Sequence, residues 1–143
     1  MPSVVDVAAY ILDKKGEMST MKLQKLCYFS QGWALAWTSE PLFNEEFQAW
    51  AKGPVSRPLF SQHKGEYSVA LLPAGESSNL GQRDRTVVDA VLEVYSDMSG
   101  VQLSEISHRG FPWKSARGGL PEGARCETVI SKESMKQHFK ALL

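Results

Sequence analysis

The chain has 143 residues, of which 43% are hydrophobic, 22% charged and 10% aromatic, and its sixteen Lys and Arg balance sixteen Asp and Glu. This composition supports a folded core and excludes a disordered, collagen-like or low-complexity chain. The charge balance holds in both halves, so the basic excess that phosphate contacts demand of a dedicated nucleic-acid binder is missing.

In chain order, Ser3 followed by Asp6 marks a helix start, Val4, Ala8, Ile11 and Leu12 recur at helical spacing, and Gly16 is placed to end the helix. A second helix, capped by Ser19 or Thr20, carries Leu23, Leu26, Cys27, Ser30, Trp33, Ala34 and Trp37 as one stripe. Tyr28 and Phe29 broaden it, and Lys22, Gln24 and Lys25 are assigned to the other, solvated side. Beyond Pro41 the pattern changes to period two from Phe43 to Trp50, as in a half-buried strand, and Gly53-Pro54 reads as a rigid turn after it. A short helix opens near Pro58, a short strand is expected within 67–72, and residues 73–81 read as the most mobile loop.

A third long helix is expected over 84–98, with Val88, Val91, Leu92, Tyr95 and Met98 inward and Gly100 as its stop. Leu103 to His108 reads as a short helix capped by Ser104, and Pro112-Trp113 opens another turn. A loop over 118–125 and a final helix capped by Ser131 complete the chain, with Met135, Phe139 and Leu142 on one face. The expected fold is therefore mainly α, of the α+β kind: a single helical domain over 1–143 with a small antiparallel β element between the second and fourth helices.

Residue chemistry supplies no enzyme motif. His63, His108 and His138 lie on separate elements without metal-ligand spacing, and with two cysteines a closed zinc site would have to be assembled by the fold, so neither metal nor cofactor is expected. Cys27 lies on an apolar stripe, which favours a core thiol over a nucleophile paired with His108. Glu45 and Glu46 would point to opposite faces of a strand and cannot share a substrate atom. The N-terminus has no signal-peptide character and no apolar run approaches the roughly 20 residues of a membrane span, so a cytoplasmic protein without membrane contact is expected.

Two segments stand out. One runs from Lys22 to Trp33 (KLQKLCYFSQGW) and continues through Pro41-Leu42-Phe43 to Ala49-Trp50 and Gly53-Pro54-Val55. The other holds Leu103-Ser104 and His108, then Pro112-Trp113 and Ala116-Arg117. In this order the segments resemble the SocA-like Panacea antitoxin domain, over about two-thirds of the chain. Ser107 stands where the family pattern has Thr, and Arg109-Gly110-Phe111 lacks its acidic residue.

The resemblance implies a non-enzymatic module that neutralises a cognate protein toxin by direct contact, leaving open whether the toxin is occluded or also delivered to an AAA+ protease. Trp50, Gly53, Pro54, His108, Trp113 and Arg117 are the expected partner-binding residues. Trp and Arg dominate interface hot spots, and an unpaired Arg fork must face solvent or a partner. The alternative is a DNA-binding regulator using the first two helices as a helix-turn-helix, with Lys14, Lys15, Lys22 and Lys25 on phosphates and Gln24 on a base. Zero net charge and the aromatic stripe weigh against nucleic acid.

Overall fold

A computed structural model describes residues 1–143. Helix α1 (Val4–Lys15) starts with reciprocal Ser3 and Asp6 caps and ends at Gly16, whose N–H donates to the Leu12 carbonyl. Helix α2 (Thr20–Thr38) is capped by Ser19 and stops at Ser39, which takes a left-handed conformation. A hairpin follows, with β2 (Phe47–Trp50) and β3 (Gly53–Val55) in antiparallel register, after the two-residue strand β1 (Met18–Ser19) ahead of α2. Helix α3 (Arg57–His63) carries Pro58 in its first turn, and β4 (Ser68–Val69) returns to pair with β1. Next come a 3-10 turn (Ser77–Asn79), α4 (Gln82–Tyr95), α5 (Gly100–Arg109), α6 (Phe111–Arg117), β5 (Val129–Ile130) and α7 (Lys132–Ala141).

The fold is mainly α with small antiparallel sheets, as the periodicities require. The three-stranded sheet has order β3-β2-β5, so its third strand arrives from beyond α6, where the sequence offered only two consecutive residues of strand. Two boundaries differ from expectation. Gly100 does not stop the third long helix but opens α5, because Ser99 and Gln102 form a capping box one turn earlier than Ser104. Ser104 is then an interior residue whose hydroxyl donates to the Lys52 carbonyl. Likewise the hairpin turns at Ala51-Lys52, and Gly53 and Pro54 lie within β3, paired with Trp50 and Ala49. Proline is tolerated there because β3 is an edge strand, while Ala49 sends its N–H the other way to Thr128.

Helix α2 is the axis of the molecule. Thirteen of its residues are buried, and one hydrophobic cluster of 33 residues surrounds it. Phe29 stacks on Tyr95 of α4 at 4.6 Å between ring centres, while Phe139 of α7 sets its ring against Tyr28, Phe29 and Trp33 edge-on. Gly32 permits this approach, since a Cβ there would fall 2.3 Å from the Phe139 ring. The 73–81 segment is anchored rather than free-standing: the Asp6 carboxylate accepts from the Glu76 backbone N–H and the Asn79 amide.

Gln24 and Lys25 do not face solvent. They are 2% and 1% exposed, because every residue of α2 from Leu23 to Gly32 is buried by the elements around it. Gln24 exchanges two hydrogen bonds with the Ser56 backbone, and Gln31, two turns on, does the same for Leu42 and Phe43. Each side-chain amide imitates a peptide group and clamps a returning segment onto the helix. A helix so enclosed has no face to lay in a DNA groove, which removes the structural basis of the helix-turn-helix alternative.

Candidate functional site

The hairpin gathers the singled-out residues. Trp113 of α6, 5% exposed, donates from Nε1 to the Trp50 carbonyl at 2.8 Å. One turn on, Arg117 donates from Nη1 to the Ala49 carbonyl at 2.9 Å. Its Nη2 donates to the carbonyls of Pro121, Glu122 and Ala124. Arg117 is 4% exposed, and its guanidinium lies 4.8 Å from the centre of the Trp113 ring. The expectation that an Arg without an acidic partner must face outward therefore does not hold here. Backbone carbonyls of the 121–124 loop use the fork's donors, and sequence spacing gives no sign of them.

His108 stacks on Trp113 at 4.1 Å between ring centres and 19° between planes. Its Nδ1 lies 3.3 Å from a Glu122 carboxylate oxygen. Burial holds the imidazole below its ordinary pKa, against the pull of Glu122, with the charges of Lys25 and Arg117 adding to the depression. Gly53 fills a different need. At φ 116° it sits where a Cβ would fall 2.5 Å from Lys25 Cε and 3.0 Å from the Ser107 hydroxyl, so glycine is required both by conformation and by space. Pro54 is buried beside it. Trp50 is half-buried, its ring edge-on to Phe60 at 5.0 Å and its Nε1 donating to Gln48.

Three depressions border this junction; one, beside Trp50, Arg57 and the 123–127 segment, holds none of the other singled-out residues, and the remaining two differ in size. The larger, about 570 Å³, is a cleft between α5 and α6 with His108, Trp113 and Arg117 at its base and Glu105, Arg109 and Lys114 at its rim. The smaller, about 280 Å³, lies on the opposite side of the hairpin, between α2 and α3. Trp113 and Arg117 thus lie buried at the base of the larger cleft, while the exposed charges around them, Glu105, Arg109 and Lys114, were not singled out from sequence. Lys25 and His63 were also missed as a pair. The available signal was the run Leu26-Cys27-Tyr28-Phe29, four apolar residues covering a full turn, which leaves no polar face for Gln24 and Lys25 to extend.

Burial pushes the Cys27 thiol far above its ordinary value, so thiolate does not form near neutrality. No three His, Cys, Asp or Glu side chains are grouped as metal ligands. No helix is long and apolar enough to cross a membrane.

Comparison with known proteins gives this geometry a family. The model of the antitoxin SocA-like Panacea domain matches residues 23–114, from the buried start of α2 to Lys114 of α6. The chain is similar to antitoxin SocA of Caulobacter vibrioides, with 32% identity over 154 aligned residues that cover 90% of this chain and 82% of the relative. No solved structure matches. The matched span contains all but the first three residues of α2, the hairpin, α5 and the start of α6, including the contact of Trp113 with Trp50, and the chain belongs to the SocA-like Panacea antitoxin family.

Proposed function

We propose that this protein is a cytoplasmic, non-enzymatic antitoxin that binds a cognate protein toxin directly, using the α5–α6 cleft. Family membership carries the antitoxin role. The cleft supports the choice of face: it combines an aromatic floor, Trp113 with His108, and a rim of both charge signs from Glu105, Arg109, Lys114 and Glu122. Aromatic anchors ringed by polar groups are the arrangement in which interface energy concentrates. Trp50, Gly53, Pro54 and Arg117 serve by holding that floor in place through the hairpin.

The test is co-expression with the product of the neighbouring toxin gene, scoring growth rescue and co-elution together. Rim variants such as Lys114→Glu are expected to weaken the complex with an unchanged melting temperature. Trp113→Ala is expected to lose both, because its indole is a packed element. Rescue with no complex in any buffer would overturn direct contact. Adding a purified AAA+ protease to the complex then separates occlusion from delivery: a shortened toxin half-life marks the antitoxin as an adaptor, and an unchanged one leaves occlusion as the mechanism.

A further inference from the structure

The smaller depression holds a charge that the fold does not neutralise. Lys25 rises from α2 into the base of the 280 Å³ cavity, whose walls include Met21, Trp50, Val55 and Phe60. The side chain is 1% exposed, none of the protein's four ion pairs includes it, and burial alone acts on its protonation, with no hydrogen-bond acceptor contributing. The charged or titratable groups facing it are His63 from α3, Lys52 from the hairpin turn and, from α5, His108; none is an acid. Gln24 beside it turns its amide nitrogen to the Ser56 carbonyl and His63, and its oxygen accepts the Ser56 N–H and makes no bond with Lys25.

An ammonium on a side chain only 1% exposed and without a counter-charge is expensive, whereas Gln24 beside it is matched to the Ser56 backbone. Gly53 makes the arrangement deliberate in structural terms, because any side chain at that position would displace the Lys25 stem. The chemistry that completes such a site is an anion, and the apolar walls require that the anion be carried on an apolar body.

The geometry points to this cavity as a receptor for an organic carboxylate with a short apolar body, Lys25 Nζ supplying the counter-charge and Met21, Val55 and Phe60 holding the body. Two sources share that chemistry, an acidic group of the bound toxin and a free carboxylic acid. The receptor assignment does not rest on the toxin-binding proposal. Burial already brings the amine down to about 7, so an entering carboxylate should raise its titration midpoint, and affinity should fall as the pH rises past that midpoint.

The experiment follows Lys25 by NMR in protein labelled at the lysine ε-carbons while hexanoate is added, with hexanamide as its uncharged match. Hexanoate is expected to bind saturably, about tenfold or more tighter than hexanamide, the ratio that one charge-assisted hydrogen bond supplies, and to raise the Lys25 midpoint. Lys25→Met, which keeps the aliphatic stem, is expected to lose the difference between the two probes. Equal binding of both probes, no response in the wild-type protein, or hexanoate selectivity retained in Lys25→Met would overturn the proposal; should that variant not fold, the wild-type comparison of probes decides alone. In the toxin complex, loss of the hexanoate response assigns the carboxylate to the toxin, and a retained response assigns it to a free acid, each consistent with the receptor.

Discussion

The two ends of α2 are held by different physics. Toward its C-terminus, Phe29, Gly32 and Trp33 meet Tyr95 and Phe139 mainly through ring packing, with a single side-chain hydrogen bond between them, from Trp33 Nε1 to the Tyr95 hydroxyl. Toward its N-terminus, Gln24 and Lys25 meet the hairpin, and the hairpin in turn meets Ser104, Trp113 and Arg117, so polar groups are buried and tied mainly to carbonyls. The first kind of packing tolerates repacking at a graded loss; the second fixes one arrangement, because each displaced donor leaves an unsatisfied partner. An interaction surface needs a defined shape, and the cleft and the cavity both sit at the polar end.

The contrast can be broken most forcefully at the aromatic end. Phe139→Ala removes the ring that touches Tyr28, Phe29 and Trp33, and is expected to lower stability by about 3–5 kcal/mol in denaturant unfolding. At the polar end, Arg117→Met should cost about 2–3 kcal/mol, as the charged hydrogen bonds to Ala49 and the 121–124 loop are lost together. Toxin binding should fall with it, whereas Phe139→Ala acts on binding only through the folded fraction. Asp6→Asn tests the anchor of the 73–81 segment, with an expected loss of about 1 kcal/mol and faster amide exchange at Glu76.

A smaller effect should follow from pH. Burial depresses His63, His108 and His138 below the ordinary 6.5, the first two further by Lys25. In the range from 6.5 down to their folded values the unfolded chain binds more protons than the native one, so stability is full above 6.5 and declines as the pH falls below it. Thermal unfolding between pH 7.5 and 5 checks this, and His63→Gln should flatten the slope. Least of all, Glu127→Gln, at the fully exposed pair with Arg57, is expected to leave the melting temperature unchanged.

Most helices were legible because their caps are local: Ser3 with Asp6, Ser19 and Ser131 each mark a start that the structure keeps. The start of α5 was misplaced by one turn although its signal is local: Ser99 has Gln102 three residues on and forms a capping box, whereas Ser104 has only Ser107 at that spacing. Strand β5 was invisible because two residues carry no period, and its partner Phe47 lies 83 positions away in sequence from Ile130. The site was legible as a set of residue types but not as roles. Arg117 faces inward because of carbonyls in a loop whose path no spacing reveals, and Lys25 is buried because α2 is enclosed by elements from both halves of the chain.

The central claim, direct neutralisation of a toxin through the α5–α6 cleft, is tested most directly by co-expression and co-elution with the wild-type protein beside the Lys114→Glu rim variant. The account predicts growth rescue and a stable complex for the wild type, with both reduced in a rim variant that melts at the wild-type temperature. Rescue without a complex, or a complex indifferent to every charge around the cleft, would contradict it.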